Sequence, residues 1–254
     1  KIRPVGEVYR RLIDEWSERT PAPEEGWGSL RTLSVLGGSI GLLAAFVVVE
    51  AVQKEPLVRL GIFRAPNLSA GNIAMALLGA AWIPLWFFLN LYLQQVLGYG
   101  AFESGLALLP MTGAIMLLMV AATGRLTAIF GIKLNIAAGM VFLVASLLLL
   151  AQAPTDGDFV LHVLPASLLA AMGMSLAYIP AMIASTASVR AEDSGLASGL
   201  VNTTYQVGSA LGLAAMTAVA QSYPDGTGLA DFNDGFHAAF YGATVVAVAG
   251  GLAA

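Results

Sequence analysis

Charged residues are confined to short intervals along this chain, and long apolar stretches run between them. Uninterrupted charge-free segments cover Thr32–Val49, Ala65–Phe102, Ser104–Gly124, Leu134–Thr155, Phe159–Val189, Ser194–Pro224 and Gly235–Ala254. A helix needs about 20 mostly apolar residues to cross about 30 Å of hydrocarbon, so the pattern predicts about seven membrane-spanning helices. The longer stretches hold one span plus an uncharged connection; Ala65–Phe102, for example, closes in the turn-like Gly98-Tyr99-Gly100. The first stretch is the shortest. The runs are continuous and rich in Leu and Ala, without the ten-residue polar/apolar alternation of a membrane β-barrel. Helices are therefore expected, because their backbone hydrogen bonds close within the segment.

The charges between the spans order them. Beyond residue 31 the basic residues are Lys54, Arg59, Arg64, Arg125, Lys133 and Arg190. If successive spans alternate in direction, all six fall on one side. The opposite loops carry Glu103, Asp156, Asp158, Asp225, Asp231 and Asp234 and no Lys or Arg. Cytoplasmic loops concentrate Lys and Arg, so the basic side is expected to be cytoplasmic. Residues 1–31 hold the other six basic residues, although alternation places them outside. Their Tyr9-to-Trp16 region reads either as an amphipathic interfacial helix or as part of a solvated flank. The chain opens on Lys1 and ends at Ala254 inside an apolar run, which is expected of a piece of a longer protein with a truncated last helix.

Composition narrows the function. Hydrophobic residues make up 57% and charged residues 11%, against about 25% charged in soluble domains. The chain has no cysteine, which rules out disulfides and thiolate metal sites. His162 and His237 lack ligand spacing, and no metal or cofactor is expected. No basic block points to nucleic acid. Gly-x-Gly-Asp and His-Glu-x-x-His motifs are absent, no Gly-x-Ser-x-Gly elbow is expected, and Asp156-Gly157-Asp158 lacks the rest of a calcium loop and reads as a surface turn. No enzymatic activity is expected. No Asp, Glu, Lys or Arg stands at the centre of a predicted span. Such groups usually mark proton or ion pathways, so this part of the protein is expected to hold no proton relay.

Polar residues inside the spans are patterned. At 100° per residue, Asn72, Met75, Gly79, Ile83, Trp86, Asn90 and Gln94 share one stripe of the second span, with Pro84 in its middle. A stripe with three amides should face protein or water rather than lipid. Interhelical hydrogen bonding and cavity lining are the two readings. The fifth span places Ser167, Ala171, Met174, Tyr178, Met182 and Ser185 on one face. That face suits an adaptable apolar cavity or plain packing. The sixth span carries two small-x-x-x-small pairs, Gly195 with Gly199 and Gly208 with Gly212, which allow close helix approach. Asn202, Gln206 and Ser209 line up with the first pair and Tyr205 with the second. Contact on two sides is expected of this helix.

Three stretches together resemble the major facilitator superfamily, and within it the fourteen-helix drug:proton antiporters. Residues 56–67 (PLVRLGIFRAPN) are similar to that family's loop into its second half. Residues 89–110 (LNLYLQQVLGYGAFESGLALLP) resemble its outer loop, and residues 192–212 (EDSGLASGLVNTTYQVGSALG) its penultimate helix. The resemblance implies an all-α membrane fold with an N-terminal polar segment over 1–31. A linker helix and cytoplasmic loop would cover 32–64, and the C-terminal six-helix transport bundle 65–254. It further implies export of amphipathic solutes by alternating access, coupled to proton influx, in the bacterial inner membrane with a preceding bundle as partner. A channel or a structural membrane subunit is the alternative. Candidate cavity residues are Asn72, Trp86, Asn90, Gln94, Met174, Tyr178, Met182, Asn202 and Gln206. The loop Gly124-Arg125-Leu126-Thr127-Ala128-Ile129-Phe130-Gly131-Ile132-Lys133 resembles the family's cytoplasmic motif Gly-x-Leu-x-Asp-x-x-Gly-x-Arg/Lys. It departs at Ala128, which stands where the family carries Asp.

Overall fold

The computed structural model describes residues 29–53, 62, 68–187, 189–222 and 229–253. The Tyr9–Trp16 region, Lys54, Arg59, Arg64, Asp225 and all of the Pro56–Asn67 stretch except Ile62 lie outside them. The described residues form helices joined by turns and contain no strand. Helix α1 is Leu30–Val52, α2 Leu68–Val96, α3 Ala101–Phe130, α4 Ile132–Leu150, α5 Phe159–Thr186, α6 Ser194–Gln221 and α7 Leu229–Ala253. Three of them include one π-helical turn, at Tyr92–Val96, Met119–Thr123 and Phe159–Val163.

Among the described residues six helices are long and apolar enough to cross a membrane, and α6 is the exception. It runs 28 residues, about 42 Å at 1.5 Å per residue, which is ample length. It falls short in apolarity, because Asn202, Thr203, Thr204, Tyr205, Gln206 and Ser209 occupy its middle. The expectation of seven spans therefore stands on length for all seven helices and on hydropathy for six.

The chain divides into two units, residues 1–60 and 61–254. The first contributes α1, whose apolar side chains are exposed along its length and whose one buried described side chain is Glu50. The second contains α2 to α7. Within it α2 is the hub, packed against α5, α6 and α7, while α4 packs on α5 and α7, and α3 lies against α5. The core runs along α2 through Met75, Leu78, Leu85, Phe88, Leu89 and Tyr92, and meets Met140, Leu143 and Leu147 of α4 and Phe236 and Phe240 of α7.

Lipid tails are as apolar as leucine, so helices in a bilayer associate through close packing and hydrogen bonds rather than hydrophobic burial. The bundle uses both. A side chain at Gly208 or Gly212 of α6 would collide with the backbone of Ala76 or Ala80 of α2. A Cβ at Gly79 would stand 2.5 Å from Tyr205 O, and one at Gly139 2.7 Å from Gly173 O. Backbones thus meet directly between α2 and α6 and between α4 and α5. Hydroxyls add bonds across helices: Ser146 donates to Ala166 O at 2.7 Å and Thr123 to Ser175 O at 3.1 Å.

The connections are held at both ends. At the end away from the basic loops Tyr92 Oη donates to Pro154 O at 2.6 Å, and Asn233 Nδ2 to Ala153 O at 2.9 Å. His237 Nε2 lies 2.8 Å from that same Ala153 oxygen. Asp158 caps α5 by accepting from Val160 N and Leu161 N, which completes the turn expected at Asp156-Gly157-Asp158. At the basic end Gly131 turns the chain between α3 and α4 with φ +81°, a conformation that favours glycine. Asn135 Nδ2 then donates to Leu126 O at 3.0 Å and Gly131 O at 2.7 Å. The motif loop is held by this amide, with Ala128 exposed where the family carries Asp.

Candidate functional site

Helix α6 presents two unlike faces. Ala197, Val201, Tyr205, Gly208, Ser209, Gly212 and Met216 are buried. Gly199, Asn202, Thr203, Gln206, Val207, Ala210 and Leu211 are exposed. Asn202 lies about 12 Å and Gln206 about 18 Å from the helix start at 1.5 Å per residue, well inside the span. Thr203 satisfies its hydroxyl on Gly199 O at 2.8 Å. Asn202 and Gln206 have no side-chain hydrogen-bond partner among the described residues. Ser209 sits on the other face, donating to Tyr205 O and packed near Gly79 of α2. It therefore leaves the stripe of Asn202 and Gln206 to which periodicity alone assigned it.

The two glycine pairs separate in the same way. Gly208 and Gly212 abut α2, whereas a Cβ at Gly195 or Gly199 would meet nothing within 4 Å. The spacing that permits close approach occurs twice, and this chain covers one copy.

Aromatic rings pair inside the bundle. Tyr178 of α5 meets Tyr205 of α6 edge to face, with centroids 5.5 Å apart. On α2, Trp82 and Trp86 are 6.2 Å apart and tilted. Trp82 was not among the residues singled out from sequence, and Tyr205 was aligned with the second glycine pair rather than counted with the cavity; its ring contact depends on how α5 and α6 cross. Met174 is buried, while Tyr178 and Met182 are half-buried and pack against the core.

The α2 stripe changes character along its length. Asn72, near the basic end, is buried and donates to Leu68 O at 2.8 Å, with its Oδ1 left unpartnered. Trp86 and Asn90 are half-buried, Gln94 is exposed, and Gln94 donates to Asn90 Oδ1. None of these amides bonds across helices. The structure joins Tyr178 to Tyr205 and Asn90 to Gln94, but the two groups sit at different depths. Asn90 is about 33 Å along α2 from Leu68, toward the outer end, whereas Asn202 lies in the half of α6 nearest the basic loops.

Catalytic geometry is lacking where a motif offers it. Gly37-Gly38-Ser39-Ile40-Gly41 has the spacing of a nucleophile elbow, which requires a strand-to-helix turn. Here the string lies inside α1, and Ser39 Oγ donates to Val35 O at 2.8 Å. Among the described residues no group of three or more His, Asp or Glu side chains could hold a metal ion.

A bundle of long apolar helices, knit by backbone contact and bearing bare amides on one helix, defines a multi-pass α-helical membrane protein. The family description Major Facilitator Superfamily matches residues 11–213, and the chain belongs to that family. It is similar to the cephamycin export protein CmcT of Amycolatopsis lactamdurans, at 35% identity over 80% of this chain and 42% of the relative. It is also similar to the tetracenomycin C resistance and export protein of Streptomyces glaucescens, at 35% identity over 80% of this chain and 38% of the relative. The puromycin resistance protein pur8 of Streptomyces alboniger is 31% identical over 77% of this chain and 39% of its own length. The chain spans about two fifths of the length of these curated relatives. With these relatives and its apolar helices, it is a multi-pass protein of the bacterial cell membrane.

Proposed function

We propose that this chain works as the C-terminal half of a drug exporter, with α2 to α7 forming one of two bundles that rock about a cavity near the membrane midplane. The observation that carries the reading is the bare polar stretch of α6. Asn202 and Gln206 are exposed within the span and bonded to nothing among the described residues. Unsatisfied amides facing hydrocarbon are costly, so these side chains suit water, solute or a second bundle. The names of the relatives, exporters or resistance proteins for cephamycin, tetracenomycin C and puromycin, support an amphipathic antibiotic-like solute. In this reading the Gly195 and Gly199 face of α6 receives the preceding bundle, and Trp86, Asn90, Gln94, Tyr178 and Met182 contribute to the cavity wall. The protein performs no covalent chemistry. Proton influx drives it, and the proton-binding groups belong to the preceding half.

The test uses the full-length transporter, with Asn202→Leu, Gln206→Leu, Trp86→Ala and Asn90→Ala compared in a drug-resistance panel and in detergent melting. Cavity contacts are worth about 1–3 kcal/mol each, roughly tenfold or more in apparent affinity. The drug profile should change while melting stays near wild type. A uniform loss for all drugs that follows a lowered melting temperature would defeat the cavity assignment. Drug-independent currents under voltage clamp would replace the carrier by a channel.

A further inference from the structure

The ends of α2, α4, α5 and α7 converge on the basic side of the bundle, and their side chains are too small to fill the space between them. A cavity of about 340 Å³ results, lined by Ala70, Gly71, Ala74, Ile132, Lys133, Ile136, Ala184, Ala187 and Ala253. Gly71, Ala74 and Ile136 are buried and form its floor; Ala70, Lys133, Ala187 and Ala253 are exposed and form its rim. The volume falls in the range of small-molecule sites. From Leu68 to Ala74 the cavity reaches about 9 Å into the bundle at 1.5 Å per residue. That depth matches the boundary between headgroups and acyl chains, where amphipathic groups bury about 5–10 Å.

Charge narrows the occupant. Among the described residues Lys133 is the one ionisable residue of the lining, and no carboxylate pairs with it. Its loop carries Ala128 where the family motif carries an acid, and the turn is held by Asn135 instead. An ammonium unpaired among the described residues therefore stands over a floor of Gly71, Ala74 and Ile136 at the membrane edge, on the side where anionic lipid is expected. Basic pockets between membrane helices on this side suit anionic headgroups. We propose that this cavity holds an anionic phospholipid of the cytoplasmic leaflet, with its phosphate on Lys133 and the start of its acyl chains against Ala70, Ala74 and Ala187. The assignment does not depend on which solute the transporter carries.

The experiment is native mass spectrometry of the whole chain, extracted in mild detergent and exposed to equal amounts of phosphatidylglycerol and phosphatidylcholine. Wild type should retain phosphatidylglycerol preferentially. Lys133→Gln, which removes the charge and keeps most of the stem, should lower that retention about fivefold, the factor one cation near an anionic surface is worth. Ala70→Leu, an exposed rim position, should lower it comparably by filling the cavity with the charge intact. Arg125→Gln removes an exposed cation of the same loop that does not line the cavity, and should leave retention near wild type. Circular dichroism of each variant checks that the helices persist. Unchanged retention in Lys133→Gln or in Ala70→Leu overturns the proposal. An equal loss in Arg125→Gln does so too, because it signals general surface attraction. Full competition by glycerol phosphate would show a free-anion site, and overturns the lipid assignment.

Discussion

Replacing glycine by alanine along α6 should have opposite effects within nine residues. An alanine Cβ at Gly208 would lie 2.7 Å from both the carbonyl carbon and Cα of Ala76, and one at Gly212 2.7 Å from the carbonyl carbon of Ala80. Ordinary contact begins near 3.4 Å, so α2 and α6 must part by at least 0.7 Å. The obstacle is backbone, which no rotamer change can clear. Overpacking of this kind costs about 1–3 kcal/mol, and parting the helices also loosens the contact of Gly79 with Tyr205. At Gly199 nothing lies within 4 Å, and alanine there should gain about 0.5–1 kcal/mol from its better helix propensity. The two clashing substitutions are one turn apart and relieved by one movement. Their double variant should therefore lose less than the sum of the single losses. Unfolding of the purified chain by titration with a denaturing detergent, followed by circular dichroism, measures all four variants. A Gly208→Ala protein as resistant as Gly199→Ala would refute the close approach of α2 and α6.

Further expectations follow from the same geometry. Tyr92→Phe removes the 2.6 Å bond to Pro154 O and should cost about 1 kcal/mol, read as faster amide exchange over residues 151–158 with the rest of the bundle unchanged. Asp158→Ala removes the cap on Val160 N and Leu161 N and should destabilise the start of α5 by about 0.5–2 kcal/mol in the same exchange experiment. Because the chain has no cysteine, single cysteines near Lys54, Thr127 and Arg190 should react with an impermeant thiol reagent only from the cytoplasm. Those near Tyr99, Gly157 and Gly226 should react only from outside, and mixed labelling within either group would break the topology.

Helix number was legible because the bilayer imposes a length, and a length leaves a linear trace. Helix pairing leaves a weaker one. The repeated glycine spacing announces that α6 can approach a neighbour closely, but identical spacing at Gly195 and Gly208 gives an open face in one case and backbone contact in the other. The partner is decided by Ala76 and Ala80, more than 120 residues earlier in the chain. The outer latch had even less signal, since Asn233 and His237 are simply one turn apart until the Ala153 carbonyl arrives beside them. The cavity under Lys133 had none. It is made by small residues missing volume at four helix ends, and a shortage of side chain has no periodicity.

The distribution of polar groups within the bundle bears on how it can move. Several serines and threonines inside it spend their hydroxyls on backbone carbonyls, either in the preceding turn, as in Ser185 to Ala181 O, or across helices, as in Ser146 to Ala166 O. These bonds and the glycine contacts leave α2 little freedom relative to α6, and α4 little relative to α5, because a packed interface resists continuous deformation. The amides behave differently: Asn202 and Gln206 commit to nothing inside the bundle, and Asn90 and Gln94 only to each other. Had these amides served to glue the six helices together, they would bond across interfaces as the hydroxyls do. A body stiff within and polar at one exposed face is what rocking against a second body requires. Stiffness lets a displacement at one end reach the other, and uncommitted amides can exchange one set of partners for another as the facing surface changes.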